Sequence, residues 1–173
     1  MRTLLLALSL SVAVTSPAFA QAVPGYGGFA PFPEAGEQPD PDRVYRIIFD
    51  VSHGGPDDIP NRGLDRVARM VNMLAAGGVD AGHRKVVVVV HGAATLSVLS
   101  DPAWAARGKG GANPNSALIR TLIAAGVQVR ICGQAMVRNH VADDDLAPGV
   151  TVDLAALMTV VHHQQAGYAL VAD

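Results

Sequence analysis

Residues 86–92 read VVVVVHG, a run of five valines followed by a histidine and a glycine. An unbroken run of β-branched residues of this length is typical of a central strand in a parallel sheet that helices cover on both faces. The strand is expected to end at His91. The sequence therefore predicts the middle of an α/β domain at this point.

Strand and helix patterns alternate on both sides of the valine run. Apolar residues at helical spacing over 64–74, and again after Asn113, predict helices that glycines close. The further stretches with the character of strands are 44–51, 127–132, 150–152 and 168–171. This alternation predicts an α/β protein with a three-layer α/β/α fold and a mainly parallel sheet of about five strands.

Two other segments are predicted from their composition. Residues 101–112 are rich in glycine and are expected to form a mobile surface loop. Asp153 is expected to cap the last helix. The apolar positions of that helix are Leu154, Leu157, Met158 and Val161.

The N-terminal residues predict export. A positive start, an apolar run and a small-residue cleavage site within residues 1–20 form the pattern of a secretory signal peptide. Residues 21–42 are expected to be a flexible leader rich in proline and glycine, and residues 43–173 the folded domain. The apolar run is too short to span a bilayer. We therefore expect a periplasmic protein without a membrane span.

The composition excludes several functional classes. The 173 residues include 13 Lys+Arg and 15 Asp+Glu, for a formal net charge of -2. Because no basic excess is present to neutralise phosphates, nucleic-acid binding is not expected. The single cysteine excludes an internal disulfide and a cysteine-rich zinc site. Cys132 therefore acts without a second cysteine from its own chain.

Cys132 is the strongest candidate for a reactive side chain. It leaves the third predicted strand into Gly133 and Gln134, which can start a helix, so its sulfur is expected near free backbone N–H groups. Such a position stabilises a thiolate. Arg130 lies two residues earlier on the same face of the strand and can assist. A buried structural thiol is the usual fate of a lone cysteine, so position alone leaves both interpretations open.

Two histidines follow the other strong strands. His53 comes after the first strand and His91 ends the second, so both are expected at the crevice where Cys132 lies. His91 is the candidate proton donor or acceptor beside the thiol, and His53 is a supporting residue. The three side chains could form a soft-metal set. Because no H-x-x-x-H spacing occurs, the site is predicted without a metal or cofactor.

Five segments of the domain form a known pattern when taken in order. With them, residues 43–173 resemble the DsrE/DsrF-like family of small proteins. The Cys-Gly-Gln, Pro-Gly-Val and Gln-x-Gly-Tyr motifs make the resemblance specific. The segments are VVVVVHG at 86–92, residues 113–127, VRICGQ at 129–134, LAPGV at 146–150 and QAGY at 165–168.

The resemblance implies a five-stranded parallel sheet, assembly into a homotrimer or homohexamer and, in some members, sulfur handling. In the sulfur-relay members a cysteine carries persulfide between partner proteins, and Cys132 is the residue that matches it. The leading hypothesis is an exported persulfide carrier or sulfurtransferase-like protein with a sulfur donor or acceptor protein as partner. The competing hypothesis is a non-catalytic oligomeric binding module for a small ligand or metal ion, in which Cys132 only packs.

Overall fold

The computed structural model describes residues 21–173, and the predicted signal peptide at 1–20 lies outside the described residues. Five strands form one parallel sheet: β1 Tyr45–Val51, β2 Arg84–Val90, β3 Gln128–Cys132, β4 Thr151–Asp153 and β5 Ala169–Ala172. Their order across the sheet is β4-β3-β2-β1-β5. The valine run lies in the central strand, as predicted.

Helices connect the strands and cover both faces of the sheet. They are α1 Arg62–Ala76, α2 Asp101–Ala106, α3 Ser116–Ala124, α4 Gly133–Arg138 and α5 Ala156–Gln165. Short 3-10 helices lie at Ala81–His83, Gly92–Val98 and Asp143–Asp145. Helices α1 and α3 pack on one face and α5 on the other. The predicted three-layer α/β/α fold is confirmed.

The two faces of the sheet are buried to different extents. The α1/α3 face forms the larger core, to which Phe49, Val88 and Ile131 contribute. The α5 face has a small core made of Ile48, Val87, Val89, Cys132, Ala135 and Ala156. Since burial of apolar area drives folding, most of the stabilisation comes from the α1/α3 face. The thinner cover on the α5 face leaves room for cavities.

Part of the proline- and glycine-rich leader is packed against α1. Val23 is fully buried. The buried Asn72 side chain accepts a hydrogen bond from the Val23 N–H at 2.8 Å and donates to the carbonyls of Val23 and Tyr26 at 3.2 and 2.9 Å. The Gly27 N–H donates to Asp65 at 2.8 Å. The composition predicted that the whole leader is flexible. Its partners Asn72 and Asp65 lie on α1, 38 to 49 residues further along the chain, and composition does not reveal them.

Replacing Asn72 with alanine is expected to lower the free energy of unfolding by about 1–3 kcal/mol, because buried backbone groups of the leader lose their partners. Urea unfolding measures this change. Gln165→Ala, at an exposed position of α5, is the control. An Asn72→Ala protein as stable as that control would show that the docked leader contributes nothing to the fold.

The predicted loop at 101–112 contains a helix. Its first half is α2, where the Ser100 hydroxyl accepts a hydrogen bond from the Ala103 N–H at 3.4 Å. Trp104 is buried in the larger core, and Lys109 Nζ lies 5.0 Å from the centroid of its ring. The buried Trp104 ring anchors α2 to the larger core. The glycine content of the segment had predicted an irregular loop there.

Two predicted helix starts are shifted along the chain. Helix α3 begins at Ser116, three residues after Asn113. The Asn113 Oδ1 accepts a hydrogen bond from the Asn115 N–H at 2.9 Å, and its amide nitrogen donates to the carbonyls of Ser97 and Leu99. Asp153 ends β4, and its carboxylate accepts hydrogen bonds from Arg130 and Thr159. Ala155 is the residue that precedes α5, and no side chain caps the helix there.

The apolar stripe of α5 faces outward. The helix packs on the sheet through small residues, Ala156 and Thr159, which are buried. On its other side Leu157, Met158 and Val161 are exposed, and so is Leu154 just before the helix, with exposed fractions from 41% to 78%. Within residues 21–173 no helix, α5 included, is long and apolar enough to cross a membrane.

Candidate functional site

Asp50, His91 and Cys132 lie on one face of the sheet at its carboxyl edge. The strand register pairs Asp50 with Val89, and Val89 with Arg130. Side chains alternate along a strand, so His91 and Cys132, each two residues further on, face the same side. This is the α5 face, which has the smaller core.

A cavity of about 480 Å³ opens beside this edge. This volume is in the range of sites for small molecules. The cavity is lined by His91, Gly92, Ala93, Cys132, Gln134, Ala135, Arg138 and Asn139. The structure thus places three of the residues singled out in the sequence, Cys132, His91 and Gln134, around one space.

Cys132 is at once packed and able to reach the cavity. It is 7% exposed, belongs to the small core and has a free thiol. It precedes α4, whose first residue, Gly133, lies against the end of β4. A Cβ at Gly133 would stand 3.0 Å from the Asp153 carbonyl oxygen. The absence of a side chain at Gly133 therefore lets β4 approach the residue next to the thiol.

His91 is held by a carboxylate. Its Nε2 lies 2.7 Å from Asp50 Oδ1, and the two side chains are 29% and 30% exposed. The His91 backbone N–H donates to the Val51 carbonyl at 3.0 Å. Gly92 follows with a φ of 56°, which glycine adopts without steric cost, and the chain turns away from the sheet there. Both the backbone and the ring of His91 are therefore fixed at the rim of the cavity.

Asp50 was not singled out in the sequence, although a signal was present. It is the only charged residue in the stretch IIFDV at 47–51, which is otherwise apolar. A carboxylate in such a strand needs a partner. That partner, His91, comes 41 residues later, and only the pairing of β1 with β2 brings the two together.

Arg130 lies on the same face of β3 as Cys132, as predicted, but its guanidinium binds Asp153 and does not reach the thiol's cavity. Its guanidinium donates to Asp153 at 2.8 Å and to the Gln128 side chain at 2.9 Å. It lines a second cavity of about 240 Å³ with His162 and His163. The structure therefore places the guanidinium apart from the cavity of Cys132, because the carboxylate at the end of β4 binds it.

His53 also lies outside the cavity lining. Its Nδ1 is 3.1 Å from Asp173 Oδ1, and its ring is exposed. The Asp173 carboxylate also accepts hydrogen bonds from the backbone N–H groups of Ser52 and His53 and from the Ser52 hydroxyl. Burial alone raises the pKa of the Asp173 carboxyl, but these hydrogen bonds outweigh it and hold the pKa below the ordinary value of 3.8.

Asp173→Asn is expected to lower the free energy of unfolding at neutral pH. Because the folded-state pKa is lowered, the contribution of this carboxylate is full above the ordinary value of 3.8 and is lost as the pH falls through the lowered pKa. Urea unfolding across the acid range should show a shallower decline for the variant than for wild type. Asp144→Asn, at an exposed position, is the control. Parallel curves for Asp173→Asn and wild type would contradict the assignment.

The possible soft-metal set is not assembled in the structure. His91 is bound to Asp50 and His53 to Asp173. Across residues 21–173, the side chains of His, Cys, Asp and Glu form no group of three or more that could hold a metal ion.

The fold and the cavity define a small α/β/α protein with a single thiol at the carboxyl edge of its sheet. The chain belongs to the DsrE/DsrF-like family, whose model matches residues 46–172. No curated protein matches the chain in sequence.

Two solved structures share the fold. The first is the protein of unknown function MTH1491 from Methanobacterium thermoautotrophicum, with 20% identity, a TM-score of 0.56 and coverage of 75% of this chain and 99% of that chain. The second is the ychN protein from E. coli, with 13% identity, a TM-score of 0.52 and the same two coverages. At these identities the likeness extends to the fold alone.

Proposed function

We propose that the protein is an exported, periplasmic carrier of sulfane sulfur and that Cys132 holds the sulfur as a persulfide. One observation carries the proposal: the only cysteine of the chain lines the cavity together with a histidine, although most of its side chain is packed among apolar residues. A purely structural thiol needs no such opening. Family membership supports the sulfur chemistry.

The reaction is an exchange of one sulfur atom. The Cys132 thiolate attacks the outer sulfur of a donor persulfide, the donor S–S bond breaks, and the donor leaves as a thiol after taking up a proton. One S–S bond forms as another breaks, so no external oxidant or reductant is needed. Arg138 has no carboxylate partner among residues 21–173 and lines the same cavity, where its charge suits an anionic persulfide or polysulfide.

The proposal is tested by weighing the intact protein after exposure to inorganic polysulfide and removal of the excess. Wild type is expected to gain sulfur, and wild type whose thiol was first alkylated with iodoacetamide is expected to gain none. A wild-type protein that keeps its original mass would overturn the proposal and leave the binding module as the remaining hypothesis.

We also propose that the protein assembles as a homotrimer or as a dimer of trimers through the outward side of α5. Leu157, Met158 and Val161 are exposed there, and so is Leu154, which lies two residues before the helix begins. Exposed apolar patches on soluble proteins commonly mark contact surfaces. The domain is also small, and burial of helix faces between subunits adds apolar contact that one chain cannot supply.

Leu157→Asp is expected to dissociate this assembly into single chains. A carboxylate on the apolar side of α5 would lose its hydration when the subunits bury it. Light scattering under reducing conditions gives the mass. Wild type should weigh three or six chains and Leu157→Asp one chain. Ala124→Asp, which adds the same charge at an exposed position of α3 on the opposite layer, should leave the wild-type mass unchanged. A wild-type mass of a single chain would contradict the proposed assembly.

A further inference from the structure

We infer that Asp50 is a positioning residue for proton exchange at Cys132: it keeps the hydrogen of His91 on Nε2, so that Nδ1 is the nitrogen that exchanges a proton with the thiol. The inference rests on the proposed function and adds to it a residue of β1 and a specified ring nitrogen.

The short contact between Asp50 and His91 determines which ring nitrogen is protonated. An ionised carboxylate only accepts hydrogen bonds. Because His91 Nε2 lies 2.7 Å from Asp50 Oδ1, the hydrogen between them belongs to Nε2. In the neutral ring Nδ1 then carries the lone pair, and among residues 21–173 it has no hydrogen-bond partner.

The surroundings of the pair argue against a merely adventitious surface contact. Both side chains are about 70% shielded from water, and no Lys or Arg among residues 21–173 pairs with Asp50. The backbone of His91 is anchored to Val51. Because water is partly excluded from the pair, this hydrogen bond is stronger than one between fully exposed side chains.

The proton path balances the sulfur exchange. His91 and Cys132 follow the paired residues Val90 and Ile131 and line the same cavity, without a direct hydrogen bond between their side chains. The Cys132 proton passes across this cavity to His91 Nδ1 as the thiolate attacks the donor sulfur, and Nδ1 returns it to the departing donor thiolate. His91 is thus neutral before and after the step and positively charged during it. The Asp50 carboxylate beside Nε2 stabilises the transient positive charge of the ring, as the aspartate of a catalytic triad does.

The test uses Cys132 alkylation by iodoacetamide at constant neutral pH, which measures thiol deprotonation without requiring sulfur transfer. Asp50→Asn and His91→Gln should each slow alkylation by roughly 100-fold, the lower end of what positioned proton transfer contributes. The double variant should be no slower than His91→Gln alone, because Asp50 acts through His91. Asp50→Glu should recover part of the wild-type rate, and Asp58→Asn, an exposed carboxylate elsewhere, should leave the rate unchanged.

A second readout is independent of reactivity. Long-range nitrogen–proton NMR spectra of the neutral imidazole should place the His91 hydrogen on Nε2 in wild type and move part of it to Nδ1 in Asp50→Asn. An Asp50→Asn protein with the wild-type alkylation rate, or with the wild-type tautomer, would overturn the inference. Absence of sulfur uptake by wild type would instead overturn the proposed function, while the alkylation rates and the tautomer would still decide the role of Asp50.

Discussion

Ile131→Ala is expected to lower the free energy of unfolding by about 2–5 kcal/mol. Ile131 is fully buried in the larger core and lies on β3, between β2 and β4. The change removes apolar contacts from both the sheet and the helices above it. It also leaves a cavity that strands hydrogen-bonded on both sides cannot close.

Urea unfolding at neutral pH measures this effect. Val137→Ala, at an exposed position of α4, removes a similar apolar group from the surface and should change the free energy of unfolding by no more than about 0.5 kcal/mol. If the two variants lose the same stability, the α1/α3 face is not the main core of the domain.

Cys132→Ser is expected to abolish sulfur uptake while the fold is retained. The serine hydroxyl is close in size to the thiol but forms no persulfide. Its burial among Val87, Val89 and Ala156 should cost at most about 1–3 kcal/mol, so the folded state persists. The intact mass after polysulfide treatment measures uptake, and circular dichroism confirms the fold.

Cys132→Ala provides the matched control for the hydroxyl group. Both variants should retain their original mass under conditions in which wild type gains sulfur. A folded Cys132→Ser protein that gains as much sulfur as wild type would show that another group binds it and that Cys132 is a packing residue.

The layered fold was predictable because its strands carry strong local signals. The valine run of β2 and the apolar stretches of β1 and β3 each have one favourable environment, a sheet covered on both faces. Glycines mark several helix ends, as Gly77 does for α1 and Gly126 shortly after α3. These local preferences all favour the same arrangement, so the alternation of strands and helices is sufficient to predict the architecture.

The environment of each helix was less predictable. An apolar stripe such as that of α5 is usually placed against a core. Here Ala156 and Thr159 contact the sheet and Leu157 points outward. Sequence periodicity shows that a helix has an apolar side, but it does not reveal whether the neighbouring surface is the sheet or another molecule.

The candidate site was predictable only for residues at the strand ends. His91 and Cys132 were expected near each other because the carboxyl ends of parallel strands meet at one edge, and in the structure both line one cavity. The contact between His91 and Asp50 depends on the register of β1 and β2, and the contact between Arg130 and Asp153 depends on that of β3 and β4. Register is a tertiary property, so the sequence alone did not identify these partners.

A carrier must both accept and release sulfur at Cys132, and one experiment follows the sulfur through both steps. Wild type is loaded with inorganic polysulfide, freed of excess donor, weighed, mixed with a small thiol acceptor and weighed again. The protein is expected to gain sulfur on loading and to return to its original mass with the acceptor, which should carry an equal amount of persulfide. A protein that gains no sulfur, or that keeps it in the presence of the acceptor, is not a sulfur carrier.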